Sequence, residues 1–366
     1  MPDTLKTPLY PLHERLGASM AAFAGWALPM SYPAGTIAEH KAARSGAALF
    51  DVSHMGQVEI TGDGAAEALE RLMPQDVVGL KDGRQIYGFL TTEDGGILDD
   101  LMVSREGDVL RLVVNAAFTE ADLDVLRQGL PEAEVRHDTS RALIAVQGPD
   151  AEDALAAHAP EVRQMRFMDA ARSGSMWITR SGYTGEDGFE ISIPAGEAEA
   201  LASALVQSGV QPAGLGARDS LRLEAGLCLS GTDIGPGTSP AEAGLKFAIP
   251  KVRRRDGARA GGFPGATRIL AELTGDGPAR LRMGLRPEGR APFRAGTPIF
   301  AGETAETPFG HVTSGGHGPS VEGPVAMAYL PRNPPQPDSL VWGEVRGRRI
   351  PARIVPMPFH PHAYRR

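Results

Sequence analysis

Ile97-Leu98-Asp99-Asp100-Leu101-Met102-Val103-Ser104, a turn at Glu106-Gly107-Asp108, and then Val109-Leu110-Arg111-Leu112-Val113-Val114-Asn115 form the stretch from which the fold is read. Two apolar runs separated by a short turn-forming segment are the signature of an antiparallel hairpin. The pair Asp99-Asp100 is the oddity, because aspartate is depleted in strands. Side chains alternate across a strand, so the two acids are expected on opposite faces and not as a dyad sharing one proton. On a half-buried strand one carboxylate faces inward and needs a partner or a ligand. On the residues alone two readings of Asp100 stand side by side: a strand-end acid held by backbone amides, or a functional carboxylate.

Outward from the hairpin, Gln57 to Thr61 alternates like a half-buried strand, and Ala65 to Met73 reads as a short helix. Thr119 and Asp122 fit a capping-box-like start to a helix carrying Leu123, Leu126 and Leu130 on one side. Asp150 is expected to cap a helix through Ala157. Phe189, Ile191 and Ile193 alternate with Glu190 and Ser192, and Glu197 to Gln207 is helical, stopping near Gly209. Asp219 is expected to cap a helix from Ser220 to about Leu229. Strands and helices mix without a regular βαβ rhythm, which favours an antiparallel α+β architecture. Residues 235–280, rich in Gly, Pro and Arg, read as a linker with one helix near Thr267 to Leu273. Beyond it Leu281-Met283-Leu285, Val325-Met327-Tyr329 and Leu340-Trp342 alternate between Pro and Gly punctuation, as in a small β-barrel or jelly roll.

At 366 residues the chain exceeds one ordinary core, so two or three domains are expected. No run approaches the roughly 18 apolar residues of a membrane span. Met1-Pro2-Asp3-Thr4-Leu5-Lys6 has no basic start followed by an apolar core, so no secretory leader is expected. One cysteine, Cys228, excludes an internal disulfide and any site of several thiolates, and the expected setting is cytoplasmic. A net charge of −8 lacks the basic footprint of nucleic-acid binding. Positive charge is local: Lys251, Arg253, Arg254, Arg255 and Arg259, then Arg346, Arg348, Arg349 and Arg353. Each run is a solvated loop or a docking surface for an acidic partner.

Several motifs fail on inspection. Gly214-Leu215-Gly216 begins a dinucleotide pattern, but Asp219 stands where the third glycine belongs and would repel a pyrophosphate. No Walker A string is present. His13-Glu14 has Gly17 where a metalloprotease needs its second histidine, and His360 and His362 have no evident third ligand, so no metal is expected. Ser181-Gly182-Tyr183 lacks the spacing of a nucleophile elbow. Cys228 lies in an apolar stretch and reads as inert packing.

Four further segments give the hairpin its context: Phe50-Asp51-Val52-Ser53-His54-Met55-Gly56, Ser181 to Glu190, Ala213 to Glu224, and Phe23-Ala24-Gly25-Trp26. In these strings, in this order, the chain resembles the glycine-cleavage T-protein family of aminomethyltransferases, from Thr7-Pro8-Leu9 to Pro358-Phe359. The resemblance implies three domains in a cloverleaf-like arrangement of antiparallel sheets around a central folate cavity, with a C-terminal β-barrel. The domains expected are 1–50 with 140–235, 51–139 with 236–275 carrying the Asp100 hairpin, and 280–366. The implied reaction moves a one-carbon unit from the aminomethyl-lipoyl arm of an H-protein to tetrahydrofolate, giving 5,10-methylenetetrahydrofolate and ammonia. A folate-dependent demethylase and a non-catalytic folate-binding protein are the alternatives.

Asp100 matches the family's catalytic aspartate. A fixed carboxylate stabilises the positive charge that develops as ammonia leaves the aminomethyl carbon, most strongly where water is excluded. Glu190 is the candidate acceptor for a pterin edge, which presents a ring N–H beside an amino group. Arg218 and Arg365 match folate-contacting positions, and arginine binds carboxylates bidentately; for Arg365 a free terminus is the competing reading. Tyr87, Tyr183, Met55 and Asn115 are wall residues of the cavity or core residues. Two departures stand out: Ser230 where an aromatic is expected, and the Arg- and Gly-rich stretch Lys251 to Gly262.

Overall fold

The computed structural model describes residues 4–332 and 338–366. Met1 to Asp3, the first residues of the Met1–Lys6 segment in which no secretory leader is expected, lie outside them. The anticipated hairpin is present: Ile97–Glu106 pairs antiparallel with Val109–Val114 at the heart of a five-stranded sheet. Its other strands are Gln85–Thr91, Gly56–Thr61 and Glu134–His137. The sequence's Gly95-Gly96 has a local cause. Gly95 sits at φ +79° in the turn before the strand, and a Cβ on Gly96 would lie 1.7 Å from the Pro236 carbonyl oxygen. Only glycine lets the strand start that close to the neighbouring loop. Ile97 N–H donates to that same loop, at Gly235 and Thr238.

One face of this sheet carries Leu101, Val103, Leu110, Leu112 and Val114 into a core with Leu69, Leu123 and Leu126. The last two belong to the helix Thr119–Gly129. A second, six-stranded sheet centres on Arg141–Gln147 paired with Gly188–Pro194. Ile144, Val146, Phe189 and Ile191 pack there against Leu201 and Leu205 of the helix Ala195–Gln207. Each sheet thus commits one apolar face to its own helices, by the period of two that the sequence displays. The opposite faces meet each other in part through polar side chains, beside an apolar patch of Leu143, Ala145 and Val113. Trp177 Nε1 donates to Ser104 Oγ at 3.0 Å, and Ser192 Oγ to Gln57 Oε1 at 2.5 Å.

The alternating C-terminal strands close into a six-stranded barrel, around Leu285, Phe293, Ile299, Val312, Ala326 and Ala352. The small three-stranded sheet near the N-terminus holds Ser19–Phe23 and Trp26–Ser31. Among the described strands, pairings are antiparallel except where Leu5–Lys6 and Gln211–Pro212 join their sheets. No helix of the described residues is long and apolar enough to cross a membrane.

Four local expectations need correction. The helix at Thr119 starts after Phe118 with no side-chain cap, because Asp122 is buried on its core side. Asp150 stands at the cap position of Ala151–Ala156 but makes no cap bond. Asp219 lies inside the helix Leu215–Glu224 and pairs with Arg222 at 2.8 Å. Residues 235–280 are no mere linker: Ile249, Phe263 and Ile269 pack in one core with Phe89 and Ile97.

The arginine run is corrected as well. Arg253 is buried and pairs with Glu70 at 3.1 Å. Arg254 donates to the carbonyls of Ile249 and Lys246, and Arg259 pairs with Glu70 and Asp76. These guanidinium groups hold the 235–280 segment down, and of Arg253, Arg254 and Arg255 only the last is fully exposed.

Candidate functional site

Alternation across the strand Ile97–Glu106 separates the two aspartates as expected. Asp99 shares the face of Leu101 and Val103, toward the helix core, and is 0% exposed. Asp100 shares the face of Met102 and Ser104, which looks toward the six-stranded sheet. The strand does not insulate them, however. Asn115, just past the hairpin's second strand, places its Nδ2 2.9 Å from Asp99 Oδ1 and 2.8 Å from Asp100 Oδ1. One carboxamide therefore ties both carboxyl groups together.

Tyr87 completes the Asp100 cradle, donating its hydroxyl to Oδ2 at 2.8 Å. Burial drives the Asp100 pKa up from 3.8 to about 7, with the Asp99 charge adding to the rise and the Tyr87 and Asn115 bonds opposing it. A carboxyl poised near neutrality can hold a negative charge and can also exchange a proton. Tyr87 is pushed the other way from ionisation, by burial and by Asp100, so it stays a donor. Its ring stacks on Phe247, with centroids 6.1 Å apart. Phe247 is itself 69% exposed, and it marks where this pocket meets solvent.

A second group gathers on the six-stranded sheet. Glu190 stands on the face opposite Phe189 and Ile191, half-buried, and burial raises its pKa while Arg218 and a Ser181 bond lower it. Arg218 comes from the helix Leu215–Glu224 and lies over the Tyr183 ring, 4.7 Å from its centroid. Tyr183 donates its hydroxyl to the Cys228 carbonyl. Burial lowers the Arg218 pKa, and its buried Nη1 has no hydrogen-bond partner. Such an orphaned cationic donor is costly unless a ligand satisfies it.

The structure thus brings Asp100, Tyr87 and Asn115 together, and Glu190, Arg218 and Tyr183 together. The two groups sense one another, since Asp100 contributes to the raised pKa of Tyr183. Met55 packs, with Val113, against the apolar cluster that includes Phe50. Arg365 is not drawn in: it is exposed, and its guanidinium pairs with Glu152. Among the described residues no cluster of His, Cys, Asp or Glu is arranged to hold a metal ion.

Three residues at the site escaped the sequence reading. Ser230 donates to Asp99 Oδ1 at 2.5 Å, a polar use of a position expected to be aromatic. Asp122, taken for a capping residue, lies against Asp99; burial and that charge hold its pKa near 9. His54 is buried with Nδ1 unpartnered, and burial and Arg218 hold its pKa near 4, so it is neutral. A buried polar residue inside the apolar run Phe50 to Met55 was the available signal for His54. For Asp122 the signal was its place on the same helical side as Leu123 and Leu126.

Comparison with known proteins fits this geometry. Residues 9–253 match the family model described as the GCVT N-terminal domain, and residues 280–360 match the glycine cleavage T-protein C-terminal barrel domain. An aminomethyltransferase of Rubrobacter xylanophilus is 41% identical over 364 residues, covering 97% of this chain and 94% of the relative. A mitochondrial aminomethyltransferase of Dictyostelium discoideum is 40% identical, covering 99% of this chain and 94% of its own. The crystal structure of the glycine cleavage system aminomethyltransferase T from Bartonella henselae superposes with a TM-score of 0.92 at 43% identity, covering 99% of both chains.

Proposed function

The chain belongs to the glycine cleavage T-protein family and is an aminomethyltransferase, and we propose that it uses tetrahydrofolate and a lipoylated H-protein with Asp100 at the reacting carbon. The single observation that carries the assignment of Asp100 is its cradle. A carboxyl held by Tyr87 and Asn115 on the face between the two sheets, with a pKa near 7, is what the chemistry requires.

The donor carries its carbon as a sulfur-bound aminomethyl group, cationic when protonated. As the C–N bond breaks, ammonia departs with the electron pair and the carbon becomes a sulfur-stabilised, thionium-like cation. The two folate nitrogens then take the carbon, the C–S bond breaks, and the lipoyl arm is left as a dithiol. Of the two protons lost from folate, one goes to the departing amine and one to the sulfur. Ionised Asp100 stabilises the positive carbon and fixes the geometry of attack. With a pKa near the working pH it is also suited to carry one of those protons.

Glu190 is proposed to accept from the pterin edge. Arg218, with its free Nη1, and His54, with its free Nδ1, offer unsatisfied buried groups to the same ligand. Tyr87, Tyr183, Met55 and Asn115 are proposed as the wall around it. For Arg365 the folate role rests on the resemblance alone, since its side chain is paired with Glu152. The division into 1–50 with 140–235, 51–139 with 236–275, and 280–366 is supported by separate apolar cores in the two large sheets and the barrel. A cytoplasmic setting is supported by the one cysteine being buried and unpaired.

The test supplies the purified chain with tetrahydrofolate and an aminomethylated lipoyl carrier and measures ammonia. Release dependent on both is expected, with Asp100→Asn losing most of it. Full ammonia release by Asp100→Asn refutes the role given to Asp100.

A further inference from the structure

Asp99 has no obvious reason to be an acid. It lies on the core face, 0% exposed, among Leu101, Val103 and the helix that carries Leu123. An isolated buried carboxylate is expensive, and a hydrophobic residue there would simply extend the core. Yet every contact it makes leads to one place. Asn115 N–H reaches its Oδ2 at 3.2 Å, Asn115 Nδ2 its Oδ1 at 2.9 Å, and Ser230 Oγ its Oδ1 at 2.5 Å. Behind it stands Asp122, 2% exposed, with its Oδ2 unpartnered. Two buried carboxylates in contact cannot both stay ionised, so Asp122 keeps its proton and the pair carries one negative charge.

We infer that Asp99, backed by Asp122 and Ser230, is a positioning residue for the reaction: through the single Asn115 carboxamide it fixes the Asp100 carboxylate and keeps a buried charge behind it. This rests on Asp100 being the reacting carboxylate. The Nδ2 group of Asn115 has two hydrogens and three acceptors within 2.9 Å: Asp99 Oδ1, Asp100 Oδ1 and the Asp100 carbonyl. Asp99 orients that amide from one side, so the amide cannot turn away from Asp100 on the other. Ser230, the departure from the expected aromatic, is the polar contact that this arrangement requires.

The groups that face Asp100 can be named element by element. Asp99 is its neighbour on the strand, and Tyr87 comes from the adjacent strand. Asp122 comes from the helix behind, Tyr183 and Cys228 from the loops in front, and Arg218 and Arg222 stand beyond Tyr183. Of these, Asp99 is the near anion, so its charge sets how readily Asp100 holds a proton.

The experiment follows kcat/KM for tetrahydrofolate against pH. In Asp99→Asn the charge is gone, so the acid limb should move to lower pH by about one unit, with kcat falling as the amide loses its orientation. Ser230→Ala leaves the charge and removes one donor from it, so its limb should move the opposite way. Asp122→Asn keeps a neutral donor and should follow the wild-type profile. Circular dichroism checks that each variant is folded, and Ser230→Ala, the mildest change, keeps the test alive if Asp99→Asn is not. Limbs that stay at the wild-type pH in Asp99→Asn and Ser230→Ala overturn the inference, as does a displaced limb in Asp122→Asn. Asp100→Asn is run alongside: turnover in that variant would defeat the reading of Asp100 itself, which is a separate failure.

Discussion

Replacing Asp100 by Asn should stabilise the protein while it removes activity. Ionised Asp100 is disfavoured in the folded state, where burial and Asp99 lift its pKa from 3.8 to about 7. That difference is about three pH units, and at about 1.4 kcal/mol per unit the ceiling on the cost is about 4 kcal/mol. Asp100 is half-buried rather than sealed, and asparagine cannot accept from both Tyr87 and Asn115 as a carboxylate does. The gain left for Asp100→Asn is therefore about 1–2 kcal/mol near pH 8, or about 1–3 °C in Tm for a chain of this length. The sign with pH follows from linkage. The folded pKa lies above the unfolded one, so the cost is absent below 3.8, grows between 3.8 and about 7, and is complete above about 7. The advantage of the variant must shrink steadily as the pH is lowered from 8 to 4. Thermal unfolding of both proteins across that range checks it. A variant less stable at pH 8, or an advantage that does not change with pH, refutes the claim that this carboxyl is held against its own ionisation.

Two other outcomes follow from the same kind of accounting. Glu224 is fully buried beside His40 and Arg44, 3.1 Å from each, and accepts from Ser320 N–H at 2.7 Å. Burial pushes its pKa up, but these bonds win and bring it from 4.5 down to about 2. Its stabilisation, on the order of 3 kcal/mol, is present above pH 4.5 and lost as pH falls toward 2. Glu224→Gln should flatten the acid side of the Tm-against-pH curve while lowering Tm at pH 7, and an unchanged curve would count against the network. Burial pushes the Cys228 thiol up to about 12, so an aromatic disulfide reagent should label it only after denaturation. Labelling of the native protein within seconds would contradict its inert packing.

What was legible in the sequence was periodic. The hairpin from Ile97 to Asn115, the strand around Glu190 and the barrel strands all declared themselves by alternation, because each has one face committed to an apolar core. The misreadings share a cause: a residue type was assigned its commonest local use when its real partner is distant in the chain. Asp122 and Asp219 have the local sequence context of helix caps, yet Asp122 faces Asp99 and Asp219 pairs with Arg222. Arg253 was read as surface charge, yet its partner Glu70 lies 183 residues away and buries it. Residues 235–280 have linker composition, but composition does not reveal that Gly96 makes room for the Pro236 carbonyl or that Phe263 has a cavity to fill. Pairings of that range exist only once the sheets are assembled.

The same geometry explains why the site lies where it does. Two sheets that each commit one apolar face to their own helices meet through the other, which is mixed: Gln57, Asp100 and Ser104 on one side and Glu190 and Ser192 on the other stand beside apolar Val113, Leu143 and Ala145. Along part of that seam the groups satisfy one another, as Trp177 does with Ser104 and Gln57 with Ser192. Toward Glu190 the seam opens into a cleft lined by Gln57, Gln85, Arg111 and Trp177. Gln85 Oε1 in that cleft, and Arg218 Nη1 and His54 Nδ1 outside its lining, are buried without partners. Buried polar atoms are paired as a rule, so each one left unpaired favours a ligand that brings the missing half. The folate proposed above, a flat heterocycle with donors on one edge, would meet that demand at Glu190 and its neighbour Arg218. Asp100 lies on the facing sheet, outside the lining of that cleft and in its own cradle of Tyr87 and Asn115. The place proposed for the chemistry thus coincides with sheet faces that the two helix-backed cores leave uncovered.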